Sequence, residues 1–458
     1  MTAPHTGLDA GILDDLVVGE VVTPGDDRYD GLRRMFYGGL DSRPAALVQV
    51  VDANDVVAVL GYARSNDIPF TVRSGGHSLS GASGIDDGIV IDVRALKGIE
   101  IDLETRTAWA GSGLTAAELT NAAGEHELAL GFGDSGSVGV GGITLGGGVG
   151  FLARKYGLTI DSLLAVEMVT ADGEVLVADA DSHPDLFWAV RGGGGNFGVV
   201  TRFRFTLHPV DEFVGGFLVL PATVDVVAGF LALSEQAPDE LTTMANVMSA
   251  PPMPFLPEEL WGKTVLMGLI AWAGDIEEGQ QWMHRFRALE EPLLDMLDQM
   301  PYSQIYMDEE EDFQPLVTTL TGFADGVNER DIGRIIAAID TSDASMAAVQ
   351  LRVLGGAVSR IANDATAYAH RDRAMMVNVA SFYEKDEERP RREAWVRGLF
   401  EELTDGDTAG YVGFLGKEGP QRVRAAYPGA TWDRLREIKA KYDPDNLFRG
   451  NQNIPPAG

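Results

Sequence analysis

The chain has 458 residues, 45% of them hydrophobic, enough for a folded core and for two or three domains. Its formal charge is −33, with seven lysines against 29 arginines, which argues against the basic surface that nucleic acid or an anionic membrane requires. There is no cysteine, so disulfides, thiolate metal sites and a cysteine nucleophile are all excluded.

A carboxylate-rich, lysine-poor surface suits a salt-rich cytoplasm in which counterions screen self-repulsion, and it points to a halophilic source. Residues 1–15 carry neither a basic nor an apolar stretch of signal-peptide type, and no apolar run reaches membrane length. A soluble cytoplasmic protein is expected.

In chain order, Leu47 to Val51 reads as a strand, Asp52 or Asn54 as the cap of a helix through Val56, Val59 and Leu60, and Ile68 to Val72 as a second strand. This βαβ pattern delivers Arg73-Ser74-Gly75-Gly76-His77-Ser78 at a strand's carboxyl end, where ligands of open α/β sheets lie. Glycines without Cβ let backbone amides converge on an anion, Arg73 supplies charge, and His77 sits at the rim. A surface turn with a solvated histidine is the competing reading.

Strands are expected at Gly88 to Val93 and Arg106 to Gly111, then a helix from Thr115 to His126 whose terminal histidine reads as a solvated cation. Ser135 to Gly150 is glycine-rich, yet Val138, Val140, Ile143, Leu145 and Val149 need burial, so it reads as a second ligand-contact segment and not as a linker. Two matches to the nicotinamide fingerprint, Gly131-x-Gly133-x-x-Gly136 and Gly148-x-Gly150-x-x-Ala153, lack the apolar strand that should lead directly into them. No Gly-Lys-Ser/Thr phosphate loop is present.

Ser162 to Thr170 and Glu174 to Val177 read as a hairpin about Asp172-Gly173, Asp185 to Val190 as a short helix, and Gly198 to Leu207 as a half-buried strand. From Phe213 the pattern changes to α+β. Helices are expected at Val224 to Gln236, Ile276 to Met300, Asp331 to Ile339 and Arg391 to Leu403, and strands at Val265 to Ala271, Ala348 to Val353 and Met375 to Ser381. Asp308 to Asp312 reads as a solvated acidic loop; its consecutive carboxylates cannot converge on a metal, and none is expected. Finally, Thr431 can cap a helix that packs Trp432, Leu435, Ile438 and Tyr442, and Leu447 to Ile454 returns polar amides to the interior.

Four ordered motifs carry a family resemblance: Arg73 to Ser78, Val138 to Gly148, Phe187 to Val200 and Tyr442 to Phe448. Together they resemble the FAD-linked oxidases of the vanillyl-alcohol oxidase class, specifically the berberine-bridge-enzyme-like group. The resemblance implies a two-domain α+β fold of the PCMH type, with an FAD-binding part at 1–211 (core about 40–211), a substrate part at 212–410 built on an antiparallel sheet covered by helices, and a C-terminal segment, 411–458, returning to the FAD part.

It also implies FAD bonded covalently through its 8α carbon to His77. The family's second tether, a cysteine, is Ser135 here, which places the chain with the singly tethered members. Implied flavin contacts are Arg73, Ser74, Gly75, Gly76, Ser78, Ser135, Val138, Gly141, Gly142, Thr144, Gly146, Gly148, Gly150, Val200, Asn451 and Asn453. A valine at position 138 is associated with oxygen access and hence with oxidases. In place of the family's Tyr-x-Asn pattern the chain has Tyr411-Val412-Gly413, and Tyr411 is the candidate base or substrate anchor, a desolvated phenol of lowered pKa.

The implied reaction is hydride transfer from a C–H bearing an alcohol or amine to flavin N5, with reoxidation by O2 giving H2O2. A dehydrogenase of the same fold using another acceptor, and a non-redox nucleotide-binding protein, are the alternatives.

Overall fold

A computed structural model describes residues 8–252, 256–307 and 313–458. The acidic loop expected at 308–312 therefore lies outside the described residues.

Two sheets are built from the first half of the chain. One has four strands in the order Glu20–Val22, Ala46–Gln49, Ile89–Asp92, Phe70–Arg73, the last three mutually parallel. The helix between the second and last of these, Ala53–Ser65, is capped by Asp52, whose side chain accepts from the amides of Asn54 and Asp55. Its apolar face, with Val56, Val59 and Leu60, packs onto Ala46, Val48 and Ile91. The βαβ reading holds with one refinement: Ile89–Asp92 is inserted between the two strands that the helix joins. Every strand of that parallel set is buried, so the sheet has no solvent-facing polar alternation to betray its order.

The second sheet is antiparallel, in the order Ile99–Asp102, Thr107–Gly111, Val199–Thr206, Leu163–Val169, Val175–Asp179. The hairpin about Asp172-Gly173 forms as expected, with Gly173 at φ +87. Thr115 caps Ala116–Gly124 in a capping box with Glu118, and His126 is exposed just beyond it.

The central region forms an eight-stranded antiparallel sheet. Its main path runs Leu294–Asp295, Phe213–Pro221, Thr264–Ala273, Leu241–Ser249, Met346–Val353, Met375–Tyr383, Leu316–Ala324, with Asp298–Gln299 pairing to Phe213–Pro221. The helices Val224–Gln236, Ile276–Arg287, Glu329–Asp340 and Arg389–Leu403 cover one face through Phe230, Phe286, Ile335 and Phe400. Burying each such phenylalanine is worth about 2 kcal/mol.

Two expectations are corrected here. The helix from Ile276 stops at Arg287 and not at Met300, because Pro292 cannot continue it and the chain instead adds two short edge strands. Thr431 is not a cap: Gly429, at φ +59, precedes the helix Ala430–Tyr442, and Thr431 lies inside its first turn.

That last helix buries Trp432, Leu435 and Ile438 as expected. It also places a wholly buried ammonium, Lys439 Nζ, 2.6 Å from Asp443 Oδ2, 2.7 Å from the Asn196 carbonyl and 3.0 Å from the Phe448 carbonyl. All three donors are used, so the C-terminal segment is tied to the loop after Arg191 by a fully satisfied polar knot.

Candidate functional site

A cavity of about 320 Å³ lies where the two glycine-rich loops, the turn at 194–200, the 411–415 segment and the C-terminal return converge. Residues 74–78 leave the strand Phe70–Arg73 at its carboxyl end and run beside residues 135–142. A Cβ placed on Gly75 would lie 2.2 Å from the amide nitrogen of Gly139, and one on Gly139 would lie 2.1 Å from that of Gly75. The loops therefore meet backbone to backbone, and side chains at these positions would force them apart.

Of the residues picked out from the sequence, Ser74, Gly75, Gly76, His77, Ser78, Ser135, Val138, Gly141, Gly142, Gly146, Val200, Asn451 and Tyr411 line the cavity. Five do not. Arg73 turns inward: it is 1% exposed, its guanidinium donates to the carbonyls of Leu32 and Arg33, and burial lowers its pKa to about 10. It secures the loop from behind and adds no charge to the cavity. Thr144 is wholly buried, and Gly148 and Gly150 are packed against Thr159 and the Phe132 carbonyl. Asn453 sits one step past the lining, beyond Gln452, which does line it.

The loop singled out as glycine-rich is not extended throughout. Val140–Gly146 is a short helix, which buries Val140 and Thr144 on one side and leaves Gly142 exposed on the other. His77 is half-buried; its ring stacks on Phe36 with centroids 4.0 Å apart and planes at 18°, and its Nε2 lies 2.8 Å from Ser137 Oγ.

Tyr411 is 3% exposed, and its oxygen accepts the Gly148 amide at 2.9 Å. Burial pushes its pKa up to about 12; the Gly148 N–H and the nearby Arg352 guanidinium offset only part of that. The expectation of a lowered pKa is thus reversed, and the phenol is protonated at neutral pH. Gly413, which stands where the family has asparagine, explains how the ring lies so close: a Cβ there would meet Tyr411 ring and hydroxyl atoms at 2.7 to 2.8 Å.

Sequence reasoning missed the side facing the central sheet. Asp134 lines the cavity and pairs with Arg352 at 2.6 Å, while Gln350 and Asn246 extend the contact. The signal was present, since Gln350 and Arg352 alternate with the buried Val349 and Leu351, so that both point off one face of their strand.

The donor set fits FAD. Ser112 and Asn451 line the cavity and each keeps a buried side-chain oxygen with no partner among the described residues. A Cβ on Gly142 would meet no protein atom within 4 Å, so its backbone borders open space at the cavity.

Comparison with known proteins agrees. A family model for an FAD binding domain matches residues 44–179, and one for berberine and berberine-like proteins matches 410–455. An FAD-linked oxidoreductase of Bacillus subtilis, YgaK, is 30% identical, covering 96% of this chain and 97% of its own. The chain belongs to the FAD-linked oxidoreductases of the berberine-bridge-enzyme-like family. (R)-6-hydroxynicotine oxidase of Paenarthrobacter nicotinovorans is 29% identical over 96% of this chain and 98% of its own.

Among solved structures, 6-hydroxy-D-nicotine oxidase from Arthrobacter nicotinovorans superposes with a TM-score of 0.84 at 27% identity, covering 100% of both chains. The BBE-like 1 protein of Physcomitrella patens shares the fold with a TM-score of 0.87 at 21% identity, covering 98% of this chain and 99% of its own. The α+β PCMH-type architecture is therefore the fold of this FAD-linked oxidoreductase. No helix among the described residues is long and apolar enough to cross a membrane, and no cluster of acidic or histidine side chains among them suits a metal ion.

Proposed function

We propose that this FAD-linked oxidoreductase is an oxidase of small molecules bearing a C–H next to an alcohol or amine, with its flavin held by one covalent bond, at His77. When bound, FAD supplies a hydride acceptor at N5 and passes the electrons to O2 to give H2O2. The observation that carries the reading is the Gly75–Gly139 contact, which shapes a side-chain-free cradle and sets His77 at the cavity, braced between Phe36 and Ser137.

Ser74, Gly76, Ser78, Ser135, Gly141, Gly142, Gly146, Val200 and Asn451 hold the cofactor, the orphaned oxygen of Asn451 gaining its partner on binding. Val138 presents a small side chain that leaves O2 a route to the ring. Tyr411, protonated, orients the substrate by donating its O–H, with its own oxygen fixed by the Gly148 amide. Residues 1–211 with 411–458 serve as the FAD-binding part and 212–410 as the substrate part, a division supported by the separation of the four- and five-stranded sheets from the eight-stranded one. The −33 charge supports a salt-adapted setting, and a cytoplasmic location is part of the same proposal.

The experiment is anaerobic mixing with a panel of sugars, secondary alcohols and amines, followed by air. Bleaching of the flavin, then fast recolouring with stoichiometric H2O2, supports the oxidase. Bleaching with slow recolouring in air assigns a dehydrogenase with another acceptor. A colourless purified protein refutes both.

A further inference from the structure

On the central-sheet side of the cavity, four polar side chains from three separate segments form one hydrogen-bonded chain. Asn246, on Leu241–Ser249, donates to the Met267 carbonyl at 3.2 Å and accepts from Gln350 Nε2 at 2.9 Å. Gln350 and Arg352 stand two apart on Met346–Val353, and Arg352 Nε donates to Gln350 Oε1 at 2.6 Å. Arg352 Nη1 donates to the Val149 carbonyl at 3.1 Å and Nη2 to Asp134 Oδ2 at 2.6 Å. The guanidinium is 5% exposed and lies 5.3 Å from the Phe414 ring centroid.

Every nitrogen of Arg352 is therefore engaged on protein. Such a guanidinium is a poor receptor for a substrate carboxylate, because binding one would break a buried ion pair. Asp134 is different. Its Oδ2 takes both Arg352 and, at 3.4 Å, Gln350, whereas its Oδ1 accepts nothing from the described residues. The side chain is 29% exposed and borders the cavity. Tyr411, on the same cavity, accepts from Gly148 but gives its own proton to no described residue. The cavity wall thus offers one open carboxylate acceptor and one open phenol donor.

Resting on the reading of the cavity as a substrate site, we propose that Asp134 Oδ1 anchors the substrate by accepting from its amine N–H or hydroxyl O–H, so that the enzyme selects donor-bearing substrates and rejects carboxylates. Arg352 is a positioning residue: it fixes Asp134 and, being already paired, leaves no cationic site for an anion. A hydroxyl as it stands, or an amine once its ammonium form has lost a proton, can donate to Asp134 and offer a lone pair to Tyr411.

The test uses the FAD-loaded protein and a matched pair of probes, benzylamine and benzoate, titrated while following the flavin absorption band. The wild type should respond to benzylamine and not to benzoate. In Asp134→Asn, the amine response should weaken by at least about tenfold and benzoate should bind, because Arg352 is released. In Arg352→Gln, which keeps the carboxylate but removes its brace, the amine response should weaken by less than in Asp134→Asn, and benzoate should stay silent. If Asp134→Asn does not load FAD, Arg352→Gln and the wild type still decide.

Benzoate binding the wild type as tightly as the amine, no response to benzylamine up to its solubility limit, or an unchanged preference in Asp134→Asn would each overturn the anchor. A purely structural tie would lower the thermal midpoint of Asp134→Asn without changing probe preference. Anaerobic bleaching separates the two proposals. Bleaching with unchanged preference removes the anchor and leaves the oxidase; the predicted reversal without bleaching by any alcohol or amine does the opposite.

Discussion

The two walls of the cavity are built by opposite means. The wall proposed to hold the cofactor is rich in bare backbone: Gly75 and Gly139 meet main chain to main chain, Gly142 presents nothing but main chain, and the His77 ring is held at the seam against Phe36. The opposite side, proposed to meet substrate, is set by side chains: Asp134 lines the cavity and is held from behind by Arg352, Gln350 and Asn246, brought together from strands and a loop far apart in sequence. A backbone surface can grip a large invariant ligand only by excluding side chains, whereas a side-chain surface can be retuned by single substitutions.

The sharpest way to break this contrast is to put a side chain into the backbone wall. Gly139→Val places atoms 2.1 Å from the Gly75 nitrogen, and the expected result is a protein that purifies without FAD, read by the ratio of flavin to protein absorbance. The equivalent insult to the far wall, Gln350→Ala, should leave that ratio unchanged.

Next in size is the buried pair between the two regions. Arg371 Nη2 lies 2.7 Å from Asp161 Oδ1 with the side chains 1% and 5% exposed, so Arg371→Met leaves a buried carboxylate unpaired and should cost about 3–5 kcal/mol by urea denaturation. A loss below about 1 kcal/mol would show that solvent reaches the pair.

The region around His370 should respond to acid. The ring is 3% exposed, donates from Nε2 to the Ala426 carbonyl at 3.1 Å, and burial lowers its pKa from 6.5 to about 4. The folded state thus resists a proton that the unfolded chain accepts below about pH 6.5. The His370 share of stability should be lost as pH falls from about 6.5 to about 4, by at most about 3 kcal/mol, with buried His208 adding a loss of its own over the same range. His370→Gln should remove the first share in a denaturant series across pH.

Smallest is Tyr411→Phe. A protonated anchor predicts a KM increase of about five- to tenfold with kcat little changed and no shift of the pH profile, checked by initial rates on whichever substrate bleaches the flavin. Collapse of kcat with loss of a basic pH limb would instead make the phenol a base.

These differences also explain what could be read in advance. The glycine-rich wall of the cavity was legible because contiguous Gly-Gly-His and Val-Gly-Val-Gly-Gly stretches are rarely linkers, and the βαβ pattern around residues 47–72 placed the first of them at a strand's carboxyl end. Arg73 misled because its charge says nothing about direction; only the fold shows it capping the carbonyls of Leu32 and Arg33. Tyr411 does line the cavity, but its pKa depends on how deeply neighbouring segments bury it, which spacing cannot convey. Strands Phe213–Pro221, Leu241–Ser249 and Leu316–Ala324 escaped because Gly215, Gly216 and a run of threonines blur the apolar alternation, and with them went Asn246.

The central claim is a covalent flavin at His77. Purified protein should be precipitated with acid, washed, and digested for mass analysis, alongside His77→Ala. The account predicts a yellow wild-type pellet, an FAD-sized mass increment on the peptide that contains His77, and a white His77→Ala pellet. A white wild-type pellet, or colour that survives the substitution, would contradict it.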